Sequence, residues 1–157
     1  MTRLRGRALR GDRVYDRAPA GHWGTTTMIS SIRLDGSTAC MTVDGATDTE
    51  VFQAYVQFVL RPTLRPGDMV VLDNLPPHKD TVAIRLIEHA GADVCFLPPY
   101  SPDFNPIEKM WSKVKARLRT EKARTQETLA TAISQALAQV TPSDARNWFA
   151  SCGYSFI

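Results

Sequence analysis

Two carboxylates sit at places where a fold can aim them. Asp73 closes the apolar run MVVLD at 69 to 73, and Glu108 opens an amphipathic stretch behind the four prolines of LPPYSPDFNPIEKMW at 97 to 111, with 34 residues between the two acids. In open α/β sheets, ligands gather in the crevice beyond the carboxyl ends of the strands. A second carboxylate in the first turn of a docked helix gives such a crevice hard oxygen donors of the kind that hold a divalent metal. Asn74, with Pro76, Pro77 and His78 behind it, adds a rigid polar cluster at the same edge.

Each acid also has a structural reading. Asp73 or Asn74 can simply start a turn. Asn105 is a good helix cap, Pro106 suits the first helical position, and a Glu two residues later can reach back to the cap amide. On a helical wheel, Ile107, Met110, Trp111, Val114 and Leu118 make one apolar stripe, and Glu108, Ser112, Lys115 and Arg119 make the stripe beside it. Glu108 therefore flanks the core, with cations suited to phosphates following on its own face.

The elements that must position these residues read as a mixed α/β order. TTTMISSIRLDGSTACMTVDG at 25 to 45 predicts a hairpin turning at Asp35 and Gly36. A helix is expected over 47 to 60, a strand buried on both faces over 69 to 73, a helix over 79 to 89, and a second buried strand over 94 to 97. A long helix from 106 to about 120 and a last helix over about 126 to 139 complete the order. A mixed sheet with helices packed on its faces follows.

At 157 residues the chain has room for one ordinary core and not two. No apolar run approaches a membrane span, and the N-terminal stretch carries charges where a signal peptide needs an apolar centre. Cytoplasmic residence and no membrane partner are the expectation. Cys40, Cys95 and Cys152 are far apart and form no CxxC, so neither a disulfide framework nor a thiolate metal site is expected, and all three are read as buried small hydrophobes. The net charge of +3 is unevenly spread. Residues 1 to 20 hold six arginines against two aspartates, residues 109 to 124 hold seven Lys or Arg against Glu121, and the remainder is net acidic. Such concentrated basicity fits either a polyanion-binding surface or a solvated helix face beside an exposed arm.

VVLDN followed by PxH, then LPPYSPDFNPIEKMWSKVK, resembles the second and third acidic motifs of the mariner-like superfamily of DDE transposases, in its bacterial insertion-sequence branch. The 34-residue spacing is typical of that superfamily, and the likeness extends over GHW at 21 to 23, the hairpin and PGDMVVLDN. Phe104 stands where the family more often has leucine. The resemblance implies an α/β fold, an RNase H-like mixed β-sheet flanked by helices, in which three carboxylates gather around two Mg²⁺ ions, with Mn²⁺ able to substitute. It implies metal-dependent DNA strand cleavage and strand transfer. Asp73 and Glu108 would be the catalytic metal ligands, with Asn74, His78 and Asn105 supporting them and Lys109, Lys113, Lys115 and Arg119 on DNA.

The family's first catalytic Asp lies on a first strand just upstream of a segment resembling MTRLRGRA, with which this chain begins. That strand, its Asp and the N-terminal helix-turn-helix domain are expected to be missing, as in a truncated copy, an internal start or the downstream half of a split frame. Asp12, Asp16 and Asp35 are poor substitutes. Residues 1 to 157 then form a single, partial catalytic domain, entered through an Arg-rich segment at 1 to 22. The expected partners are transposon ends and target DNA, with a homodimer when intact and nucleoid association in a bacterium. Another RNase H-like nuclease such as a junction resolvase, or a non-catalytic DNA-binding remnant, remain the other classes.

Overall fold

The computed structural model of the chain describes residues 7–15, 24–123 and 125–155. Alternating short apolar residues in TTMISSI and TACMTVD give the antiparallel pair β1 (Thr26–Ile32) and β2 (Thr38–Asp44). The turn between them uses Gly36 in the left-handed region (φ +84°), and Asp35 accepts from the Ser37 amide and hydroxyl. Helix α1 (Thr49–Tyr55), capped by Asp48, runs on through a wider π turn to Leu60. Strand β3 (Met69–Leu72) leads to helix α2 (Thr81–Glu88), capped by Asp80, and then to β4 (Asp93–Phe96), which pairs with β3 in parallel. Three helices follow: α3 (Pro106–Glu121), α4 (Gln126–Leu137) and α5 (Pro142–Ser151).

The period-2 alternation of β1 decides how the layers pack. Ile29 packs, with Met41, against Phe52, Tyr55, Val56, Leu60 and Ile87 on the α1 and α2 side. Met28 and Ile32 pack on the opposite side, where Met110, Val114 and Leu118 of α3 meet Ile133 and Ala136 of α4. The hairpin is thus covered by helices on both faces, an RNase H-like mixed α/β arrangement. Phe52, Ile87, Met110, Val56 and Val114 are fully buried, and burying each such side chain contributes about 1.5–3 kcal/mol. Tyr55 is buried as well. Its hydroxyl donates to the Ala39 carbonyl at 3.0 Å, and burial pushes its phenol above the usual range.

Strands of both senses are present, but the antiparallel and parallel pairs form two separate two-stranded sheets. Among the described residues, nothing pairs with the outer edge of β1 or the outer edge of β3. Both edges line one groove of about 370 Å³, to which Thr27 through Ile32 contribute from one side and Val70 through Asp73 from the other. A side-chain clamp joins the sheets at one end: Arg33, just after β1, donates twice to Asp68, just before β3, at 2.7 Å each. Strands β3 and β4 are less buried than their apolar sequences predict. Met69 is 60% exposed, and Cys95 and Phe96 of β4 face solvent; among the described residues β4 pairs with β3 alone. Of the three cysteines, only Cys152 is fully buried.

Two element boundaries also depart from expectation. Asp80 delays α2 by accepting from the Ala83 amide, which leaves residues 76–79 as a short 3-10 turn. Helix α5 was not expected from periodicity, although Thr141 and Asp144 form a reciprocal capping box at its start. Asp144 also accepts from Lys113 of α3 at 2.6 Å, which ties α5 to the long helix.

The two clamp carboxylates make a testable pH prediction. The Arg33 hydrogen bonds hold the Asp68 carboxyl down at about 2, and the Lys113 hydrogen bond, with Thr141, does the same for Asp144. A carboxyl whose folded pKa is depressed contributes stability above its unfolded pKa of about 4, and that contribution is lost as pH falls through the folded value. Urea midpoints should therefore drop between about pH 4 and pH 2. Asp68→Ala and Asp144→Ala should each lower stability at pH 7 by about 1 kcal/mol and flatten that acid slope.

Candidate active site at the exit of the parallel strands

The site begins where β3 ends. Asp73 follows Leu72, and its Oδ1 accepts from the Leu75 amide at 3.1 Å, so the expected turn exists. The carboxylate does more than start a turn, because the same Oδ1 lies 2.5 Å from His78 Nδ1. The His78 ring rests against Phe52 with centroids 4.5 Å apart, so α1 fixes the imidazole that orients Asp73. Pro76 and Pro77 form the short turn that carries His78 back to the strand end. Asn74 donates from Nδ2 to the Leu97 carbonyl and thereby ties the exit of β3 to the exit of β4.

Glu108 arrives from the other side. Asn105 caps α3, accepting from the Ile107 amide at 3.4 Å, and Pro106 fills the first helical position, as the sequence predicts. The Asn105 amide is already engaged with the Pro102 carbonyl at 2.9 Å. Glu108 is therefore released from the cap, in contrast to Thr128 and Asp144, which close capping boxes on α4 and α5. Its side chain is exposed and lines a pocket of about 400 Å³ together with Asp73, Asn74 and Asn105. The helix beneath it is held by Met110 and Val114 in the core, and by Tyr154, whose hydroxyl donates to the Phe104 carbonyl at 3.1 Å. The prolines before α3 thus set the direction from which this carboxylate enters.

Four of the residues singled out by sequence, Asp73, Asn74, Asn105 and Glu108, share this pocket, and His78 joins them through Asp73. Lys109, Lys115 and Arg119 lie exposed on α3. Lys113 is placed differently. Its ammonium is occupied by Asp144 and by the Gln139 carbonyl at 2.8 Å, so its charge serves the contact with α5. Asp12 is exposed, Asp35 is held in the hairpin turn, and Asp16 and residues 21–23 lie outside the described residues. Sequence reasoning did not single out Lys79 and Tyr100, which also line the pocket. They belong to no periodic pattern, and only their closeness to proline pairs marks them.

Asp73 and Glu108 are hard oxygen donors in one pocket, which suits a divalent cation by ligand type. Among the described residues, no group of three or more His, Cys, Asp or Glu is placed to hold a metal, so this donor set counts two carboxylates. The groove between β1 and β3 opens onto them, since Asp73, Asn105 and Glu108 line both spaces.

Residues 1–130 match the family described as DDE superfamily endonuclease. The chain belongs to the DDE endonuclease superfamily. No curated protein matches it. DDE endonucleases act on DNA and generally use divalent metals. No helix among the described residues is long and apolar enough to cross a membrane.

Proposed function

We propose that this DDE endonuclease domain is the catalytic region of a mariner-like transposase of a bacterial insertion sequence, acting on transposon ends and target DNA. The observation that carries the reading is the convergence of Asp73 and Glu108, with 34 residues between them, on one pocket from a strand exit and a helix start. Asp73 and Glu108 would hold Mg²⁺, or Mn²⁺ in its place. Bound there, a metal pair would supply Lewis-acid activation of a water or 3′-hydroxyl and charge stabilisation at the leaving oxygen for in-line attack on a phosphodiester.

The chain's own residues supply position. His78 and the Leu75 amide orient the Asp73 carboxylate, while Asn74 locks the two strand exits together. Asn105 and Pro106 start α3 so that Glu108 stays free of the cap. Lys109, Lys115 and Arg119 present charge on the exposed side of that helix, where a DNA backbone could run alongside the pocket. Lys113 is left out of this set because its partners are on the protein. In this reading a third carboxylate completes the site, and the intact enzyme acts as a homodimer.

The DNA reading has a direct test. Lys115→Ala with Arg119→Ala should weaken binding irrespective of sequence and reduce the slope of log affinity against log salt by about 2, near 0.9 per lost phosphate contact. An unchanged slope in a folded double variant would make both side chains solvated surface. A purified chain that cuts branched DNA yet never joins ends would favour a junction resolvase.

A further inference from the structure

We propose that the proline-rich wall of the pocket, centred on Tyr100, is a stacking subsite for an unpaired nucleobase next to the scissile phosphate. This rests on the DNA reading above and adds to it a ligand for a part of the pocket that the two carboxylates leave unused. The pocket is divided in character. Asp73, Asn105 and Glu108 are among its polar lining residues, and Leu75, Leu97, Pro98, Pro99, Tyr100 and Pro102 are the apolar ones. A cavity of about 400 Å³ with mostly apolar walls and a few convergent polar groups is the usual form of a small-ligand site.

Tyr100 is fully exposed although it lines this pocket. It also holds a left-handed backbone conformation (φ +56°), which residues with a β-carbon rarely adopt and which clusters at functional sites. The loop that imposes this conformation is stiff. Pro98, Pro99 and Pro102 fix their own backbone, Ser101 donates to the Pro99 carbonyl at 3.2 Å, and Asn74 holds the Leu97 carbonyl. Asn74, beside Asp73, anchors the start of this loop at the Leu97 carbonyl.

A flat aromatic ring, proline faces and a nearby cation match the parts of a nucleotide. Bases stack on aromatic rings without regard to sequence. Lys79 lines the same pocket and offers its charge to a phosphate, and Lys109, Lys115 and Arg119 are exposed on α3 after Glu108. A base stacked on Tyr100 would leave its own phosphate near Asp73 and Glu108. A strand end or a base displaced from the duplex fits this arrangement, whereas a paired base does not.

The test uses the 157-residue chain and one duplex in two forms, blunt and with a single 2-aminopurine overhang at the 3′ end. Wild-type protein should prefer the overhang form, and 2-aminopurine emission should fall on binding. Tyr100→Ala should weaken the overhang complex about 5- to 100-fold more than the blunt complex and abolish the emission change. Tyr100→Phe should preserve both. Lys115→Ala with Arg119→Ala should weaken the two complexes alike. Because the ring is fully exposed, a melting temperature matching wild type would accompany the Tyr100→Ala loss. Equal binding of both forms by wild type, or a preference that survives in Tyr100→Ala, would overturn the subsite while leaving the DNA reading in place. Binding of neither form would overturn both.

Discussion

The chain alone is expected to leave DNA intact, and the same chain carrying an added apolar strand that ends in Asp is expected to nick transposon-end DNA in Mg²⁺ or Mn²⁺. The increase should be on the order of 10³-fold or more, the range lost when one component of a preorganised charge-stabilising site is removed. Two metals need enough anionic ligands to hold both, and the described residues place only Asp73 and Glu108 in the pocket. The groove between β1 and β3 supplies the docking place, because each strand presents an unpaired edge to it and it runs to both carboxylates. An extended segment there would complete backbone pairing on two edges at once. Its apolar residues would pack beside Ile29, Val70 and Leu72, so the melting temperature should rise by roughly 5 °C or more. A nicking assay and a thermal melt on the two chains read both effects. Strong cleavage by the unextended chain would show that another carboxylate completes the site, and Asp12, Asp16 and Asp35 would be the residues to mutate.

Asp73→Asn and Glu108→Gln should each lower Mn²⁺ affinity by at least about 100-fold, more than the 10- to 100-fold typical of residues that only support a ligand. The substitutions keep shape and remove charge, so the hydrogen bond to the Leu75 amide and the start of α3 should survive. Titration of free Mn²⁺ by electron paramagnetic resonance measures the loss. His78→Ala should fall in the milder range, since His78 touches Asp73 and Phe52 and acts through the carboxylate. Equal losses for His78→Ala and Asp73→Asn would point to general disruption of the strand exit, and unchanged circular dichroism in both variants would exclude it.

Much of this arrangement could be read before any coordinates. The Asp35 and Gly36 turn, the Asn105 and Pro106 start of α3 and the buried stripe of Met110, Val114 and Leu118 follow from local turn, cap and period rules, and all three are present. What failed depended on neighbours. MVVL and VCFL read as fully buried strands because apolar runs usually have partners on both sides, but among the described residues β3 has one open edge and β4 one neighbour. The basic character of Lys113 gave no sign that Asp144, 31 residues away, would claim it. The local rules for Glu108 allowed both a cap and a free ligand, and the choice came from the Pro102 carbonyl, which occupies the cap amide. Tyr100 had no periodic signature, and its exposure and backbone angle emerge only from the fold.

The shared role of Asp73 and Glu108 is tested most directly by diffraction from crystals of the chain grown with Mn²⁺ and DNA, recorded to reveal the anomalous signal of the metal. A Mn²⁺ peak is expected in the pocket, touched by carboxylate oxygens of both residues at close to the roughly 2.0–2.1 Å of octahedral Mg²⁺. A peak elsewhere with neither residue as ligand, or carboxylates that stay more than about 10 Å apart around the bound DNA, would contradict it.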